Sequence, residues 1–141
     1  MIPRLALLFL CAAPVSLAAQ TTDSSAPRSV AVGVYSEDQA VRGKSAFEMY
    51  CASCHEPSFH SGEQFRMNWF GRSVYDLFKV LKTTMPEDKI GGLSDEEYTR
   101  VITYILKLNG FPAGKDSLPA DTTLLRQLKI APADSARSGG K

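Results

Sequence analysis

The sequence predicts an all-α fold, and three observations carry that prediction. Apolar residues recur at helical spacing in three separate stretches. Each stretch opens on a serine, the residue type that best accepts the orphan amides of a helix start. No run of alternating apolar and polar residues is long enough to read as a strand.

The chain has 141 residues. It begins with one positive charge, Arg4, ahead of an apolar run from Leu5 to Ala13. Pro14 ends the run, and Ser16-Leu17-Ala18 supplies the small residues of a cleavage site. Residues 1–18 therefore read as a secretory signal peptide, excluded from the fold. The apolar run falls short of the roughly 20 residues that span a bilayer. An uncleaved anchor is the alternative. Leu10 stands where a lipobox wants a small residue, which weakens a lipid-anchor reading of Cys11. Cleavage after Ala18 leaves only Cys51 and Cys54, with no membrane span. It also removes Arg4, so acidic and basic side chains balance. That balance argues against a nucleic-acid partner, which a basic excess would signal.

Residues 19–35 are mostly small and polar and read as a flexible N-terminal segment. The first helix starts at Ser36, where Ser36-Glu37-Asp38-Gln39 has the form of a capping box. Ala40, Gly43, Phe47 and Tyr50 follow at helical spacing and lead straight into Cys51. The second starts at Ser73, with Val74, Leu77, Phe78 and Leu81 on one face. It stops near Met85, because the residue before a proline avoids helical backbone. The third is capped by Ser94 and Glu97. It carries Tyr98, Val101, Ile102, Ile105 and Leu106 as a stripe and ends at Asn109-Gly110. Residues 122–130 offer a short fourth helix. The domain proper spans 36–112, and 113–141 form a C-terminal extension whose Leu118, Leu124, Leu125, Leu128 and Ile130 wrap the domain or dock a partner. The last residues, from Ser135, are expected to fray.

The chemistry centres on Cys51-Ala52-Ser53-Cys54-His55. Two cysteines separated by two residues reach the two vinyl groups on one edge of a haem. The histidine that follows projects from the same turn toward the iron. C-x-x-C-H therefore reads as the attachment site of one covalent haem c, held through Cys51 and Cys54 and ligated by His55. A disulfide suits an oxidising compartment, but a thioredoxin-like motif needs a strand before it, and none is predicted. A structural zinc ion needs four ligands. Only His60 could complete that set, and adjacent Cys54 and His55 chelate poorly.

A haem iron has a second axial position. Met49 lies on the helix before the motif and reaches the other face poorly. His60 follows His55 too closely to pass round the ring. Met67 has a longer path and stays open. Met85 has the most favourable context: it ends a helix, precedes Pro86, and lies thirty residues beyond His55. His55 and Met85 are the expected metal ligands. A thioether ligand favours ferrous iron and raises the potential.

Gly43, Phe47, Cys51, Cys54, His55, Met85-Pro86 and the helix from Asp95 to Leu108 resemble those of class I monohaem cytochromes c, over about residues 36–112. The resemblance implies a cytochrome c-like fold of three or more helices wrapped around the haem. Gly43 would then let the first and last helices cross closely, and Phe47 would pack near Val101 and Tyr104-Ile105. It also implies that Trp69 binds the cofactor, its indole N–H donating to a haem propionate, with Arg72 as a second candidate. Pro57 is the nearby candidate for the carbonyl that would orient His55. The stretch Asn109-Gly110-Phe111-Pro112-Ala113-Gly114 is similar to small bacterial cytochromes that pair with quinoprotein dehydrogenases.

The function expected is one-electron transfer by a monomeric periplasmic carrier, not an enzyme. Its redox partners would be a dehydrogenase or quinol-oxidising complex and a terminal acceptor. One alternative is a dedicated cytochrome subunit of a quinoprotein dehydrogenase or other respiratory complex. The other is a ligand-binding or peroxidase-like haem protein with an open sixth position, for which the sequence offers no distal acid–base pair. Lys79, Lys82 and Lys89 are candidates for a docking patch.

Overall fold

A computed structural model describes residues 27–132. The signal peptide, residues 19–26 of the N-terminal segment, and residues 133–141 lie outside the described residues. Strand β1 (Arg28–Ser29) is followed by helices α1 (Glu37–Tyr50), α2 (Gly62–Trp69), α3 (Val74–Thr84), α4 (Asp95–Leu108) and α5 (Thr122–Gln127), and then by β2 (Leu128–Lys129). Short 3₁₀ turns cover Val30–Val32, Pro57–His60 and Glu87–Lys89. No helix among the described residues is long and apolar enough to cross a membrane.

The frame is the crossing of α1 and α4. Ser94 opens α4 with a complete capping box: its hydroxyl accepts from the Glu97 amide, and Glu97 accepts from the Ser94 amide at 2.8 Å. Such a cap stabilises a helix by about 1 kcal/mol. The predicted stripe of α4 is buried throughout. Thr99 and Thr103 are buried too, their hydroxyls returned to the Asp95 and Arg100 carbonyls of their own helix. Gly43 makes the crossing tight, since a Cβ there would stand 2.0 Å from the Arg100 carbonyl oxygen. Phe47 packs on Tyr104 with ring centroids 5.4 Å apart.

Three expectations about the elements are corrected. The Ser36 hydroxyl does accept from the Gln39 amide at 3.2 Å. The Gln39 side chain, however, does not return to the cap. It is buried, donating to the Leu118 carbonyl and accepting from the Leu118 amide at 2.8 and 2.7 Å. Two bonds from one buried amide group hold the extension against α1. Residues 28–35, placed by sequence in a flexible segment, are packed instead. Val30 and Tyr35 are fully buried, and β1 pairs in parallel with β2. The fourth helix ends at Gln127, and β2 takes over from Leu128.

The extension thus wraps the domain. Leu118, Leu125, Leu128 and Ile130 join the core, while Leu124 stays exposed. Ile130 exchanges backbone hydrogen bonds with the corner between α2 and α3: Gly71 donates to its carbonyl, and its amide donates to Arg72, each at 2.9 Å. The Arg126 guanidinium lies 3.4 Å over the Tyr75 ring of α3.

Tyr35 closes the N-terminal side, donating to the Phe111 carbonyl at 2.6 Å. Burial, with the Glu37 carboxylate adding to it, pushes its hydroxyl up to about 12. The folded state therefore favours the neutral phenol. Its contribution is complete below the ordinary tyrosine value near 10 and is lost as pH rises toward 12. Tyr35→Phe is expected to cost about 1–3 kcal/mol at neutral pH, the cost of an unsatisfied buried carbonyl. It should also flatten the alkaline loss of stability, as denaturant titrations at several pH values would show.

Candidate functional site

The C-terminal end of α1 runs directly into the attachment motif. The Cys51 and Ala52 amides donate to the Phe47 carbonyl at 2.8 and 3.0 Å, so the chain leaves the helix in a tight turn. The Cys54 and His55 amides then both donate to the Cys51 carbonyl, at 3.1 and 2.9 Å. One carbonyl therefore gathers the second cysteine and the histidine onto the same turn as the first. The two cysteines form no disulfide; Cys51 is half-buried and Cys54 exposed. Burial pushes the Cys51 thiol above its ordinary value.

This turn opens into a cavity of about 750 Å³, within the range of small-molecule and cofactor sites. Its lining comes from four places. Residues 47–60 supply Phe47, both cysteines, His55 and His60. Residues 77–93 supply Leu77, Leu81 and Met85 among others. Helix α4 supplies Glu97, Val101 and Ile105, and Trp69 adds a wall from the end of α2. The residues fit a c-type haem. Two thiols, an imidazole and a thioether face one largely apolar space, and Met85 comes from a different part of the chain than His55.

The other axial candidates separate clearly. Met67 is 68% exposed and does not line the cavity. Met49 touches the rim but is 72% exposed, on the helix that precedes the motif. His60 lies beside His55, ring centroids 5.2 Å apart, and packs edge-on against Phe47 at 5.6 Å. Burial, with His55 adding to it, holds the His60 imidazole below its ordinary value. No described residue, Pro57 included, accepts a hydrogen bond from the His55 ring. Trp69 is half-buried, and its indole makes no hydrogen bond to a described residue. The exposed Arg72 guanidinium lies 4.9 Å from its ring centre.

The rim also carries Tyr50, which the sequence marks only by helical spacing, and Glu97, which it marks only as a cap. Tyr50 donates to Glu97 at 3.0 Å. Hydrogen bonds from the Ser94 amide and hydroxyl, and from Tyr50, lower the Glu97 carboxyl, while donating to that carboxylate, together with its negative charge, raises the Tyr50 phenol. Of the three lysines, Lys82 is paired with Asp95 at 2.5 Å, linking the last turn of α3 to the first of α4.

A family model described as cytochrome C oxidase, cbb3-type, subunit III matches residues 38–105, just under half of the chain. No curated protein and no solved structure matches. The matched residues hold α1, the attachment turn, α2, α3 and nearly all of α4, and they supply the walls of the cavity. A domain of this kind points to haem-based electron transfer, as a carrier or as a redox subunit. The match supports reading residues 38–105 as a monohaem c-type cytochrome domain.

Proposed function

We propose that the protein is a periplasmic one-electron carrier whose haem c is attached through Cys51 and Cys54, with His55 and Met85 as axial ligands. The observation that carries this reading is the placement of Met85: it lines the same cavity as the two cysteines and His55, while Met67 is exposed and does not line it. The bound haem supplies an iron that alternates between ferric and ferrous states. The rest is the work of the chain. His55 is set by the turn at Cys51, and Met85 by the end of α3. A thioether ligand favours the ferrous state and raises the potential. Apolar walls from Phe47, Leu77, Leu81 and Val101 exclude water, and the capped, closely crossed helices change little between oxidation states. Trp69 lines the same cavity, and its indole N–H would donate to a haem propionate. Partners would meet the exposed Cys54 side of the cavity through a small, transient interface, and the chain would act as a monomer.

The test is a visible spectrum of protein exported from a host that matures c-type cytochromes. Haem that resists acid-acetone extraction, in a low-spin state with a methionine-to-iron band, is expected. Met85→Ala should abolish that band and let the reduced protein bind carbon monoxide. Met67→Ala should change neither. Haem that extracts freely would sink the covalent reading, and an intact band in Met85→Ala would sink the ligand assignment.

The family description favours a second reading, a subunit of a respiratory complex, because the matching model is that of an oxidase subunit. A stable complex that co-purifies from membranes of the native host would select it over the free carrier.

A further inference from the structure

From the geometry around Met85 we infer that Tyr98 is its positioning residue, holding the ligand's backbone to α4 by a single part-buried hydrogen bond. This rests on Met85 as an axial ligand. Tyr98 is 2% exposed, and its hydroxyl donates to the Met85 carbonyl at 2.6 Å. On the other side of the same residue, the Met85 amide donates to the Leu81 carbonyl at 2.8 Å. The backbone of Met85 is thus held from both ends, by the last turn of α3 and by the first turn of α4.

The choice of residue type follows from position. Residue 98 belongs to the apolar stripe of α4, and its ring packs edge-on against Phe78 of α3 at 6.2 Å. A phenylalanine would fill that role as well. The hydroxyl is the surplus, and a buried tyrosine hydroxyl requires a partner. Here its acceptor is the residue on which the sixth coordination position depends. Lys82 and Asp95 form a second tie between α3 and α4, but both side chains are about two-fifths exposed, and such pairs contribute little. Helix α4 is itself locked to α1 at Gly43, and α1 leads into the cysteines. The Tyr98 bond therefore connects Met85 to the frame that carries the other ligand. Without it, the Met85 carbonyl loses its partner and the loop gains freedom to leave the iron.

The test measures how readily an added ligand displaces Met85. Imidazole is titrated into the oxidised, haem-loaded protein and followed by the visible spectrum. Tyr98→Phe is expected to bind imidazole about tenfold more tightly than wild type, the change that 1.4 kcal/mol produces. Tyr35→Phe removes a buried tyrosine-to-carbonyl bond outside the cavity, so it should leave imidazole affinity unchanged while lowering stability. Equal affinities in Tyr98→Phe and wild type would overturn the proposal and leave Tyr98 as core filling. Equal gains in both tyrosine variants would overturn it too, by making the effect one of general loosening. The Met85→Ala arm separates the two layers of the argument. If Met85→Ala binds imidazole no better than wild type, the ligand reading fails and takes the tether with it. A measurement on wild type alone needs no variant to fold. The Met85 amide should resist hydrogen exchange as strongly as the amides in the middle of α4. Exchange at the rate of a frayed helix end would overturn the tether.

Discussion

Deleting residues 114–141 is expected to remove most of the protein's stability, even though every residue that faces the cavity is retained. The deletion takes away Leu118, Leu125, Leu128 and Ile130, all buried. Burying one such side chain contributes about 1.5–3 kcal/mol. Four of them contribute roughly 6–12 kcal/mol before chain entropy is set against them. A domain of this size has about 5–15 kcal/mol in total. The deletion also strands Gln39, whose buried amide group loses both partners at Leu118. It breaks the bonds of Ile130 to Gly71 and Arg72, beside Trp69. Chemical denaturation of the truncated, haem-loaded protein should show either no cooperative transition or a midpoint far below wild type. Leu125→Ala is the graded version, at about 2–5 kcal/mol. An unchanged midpoint in the truncated protein would show that the chain up to residue 113 stands alone and that the wrap is decoration.

That prediction touches the limit of what the sequence reveals. Helices α1, α3 and α4 were legible because their signals are local: a serine at the cap, apolar residues three and four apart, and a glycine or proline stop. Helix α2 was missed for want of such signals. The Ser61 side chain makes no capping bond, and of eight residues only Phe65 is buried. Residues 28–35 look like a flexible segment because the partners of Tyr35 and of β1 lie 76 or more residues away, at Phe111 and at β2. Gln39 was assigned to its own helix cap for the same reason. The site residues read from the sequence, Cys51, Cys54, His55, Met85 and Trp69, all line one cavity; the C-x-x-C-H spacing brings the first three together, whereas Met85 rested on its place before Pro86 and Trp69 on resemblance. Tyr98 showed only as one member of a stripe, because periodicity reports the ring and is silent about the hydroxyl.

Gly43→Ala is expected to destabilise the protein by at least 1–3 kcal/mol, the usual cost of an overpacked core. In an exposed helix interior the same change would stabilise by about 0.5–1 kcal/mol, so the sign of the effect is itself the test. The added methyl would sit 2.0 Å from the Arg100 carbonyl oxygen, 2.8 Å from its carbon and 3.2 Å from the Thr103 hydroxyl. The two nearest atoms are backbone, and no rotamer change moves them. Relief requires α4 to shift away from α1. That shift would not stay at the crossing. Helix α4 carries Glu97, Val101 and Ile105 into the cavity and holds Met85 through Tyr98, whereas α1 delivers the cysteines and His55. Separating the two helices separates the two axial candidates. Gly43→Ala should therefore lower the denaturation midpoint and raise imidazole affinity together. A midpoint at or above that of wild type would mean that the helices do not meet as closely as the 2.0 Å approach requires. A lowered midpoint with unchanged imidazole affinity would mean that the crossing supports the fold without setting the ligand.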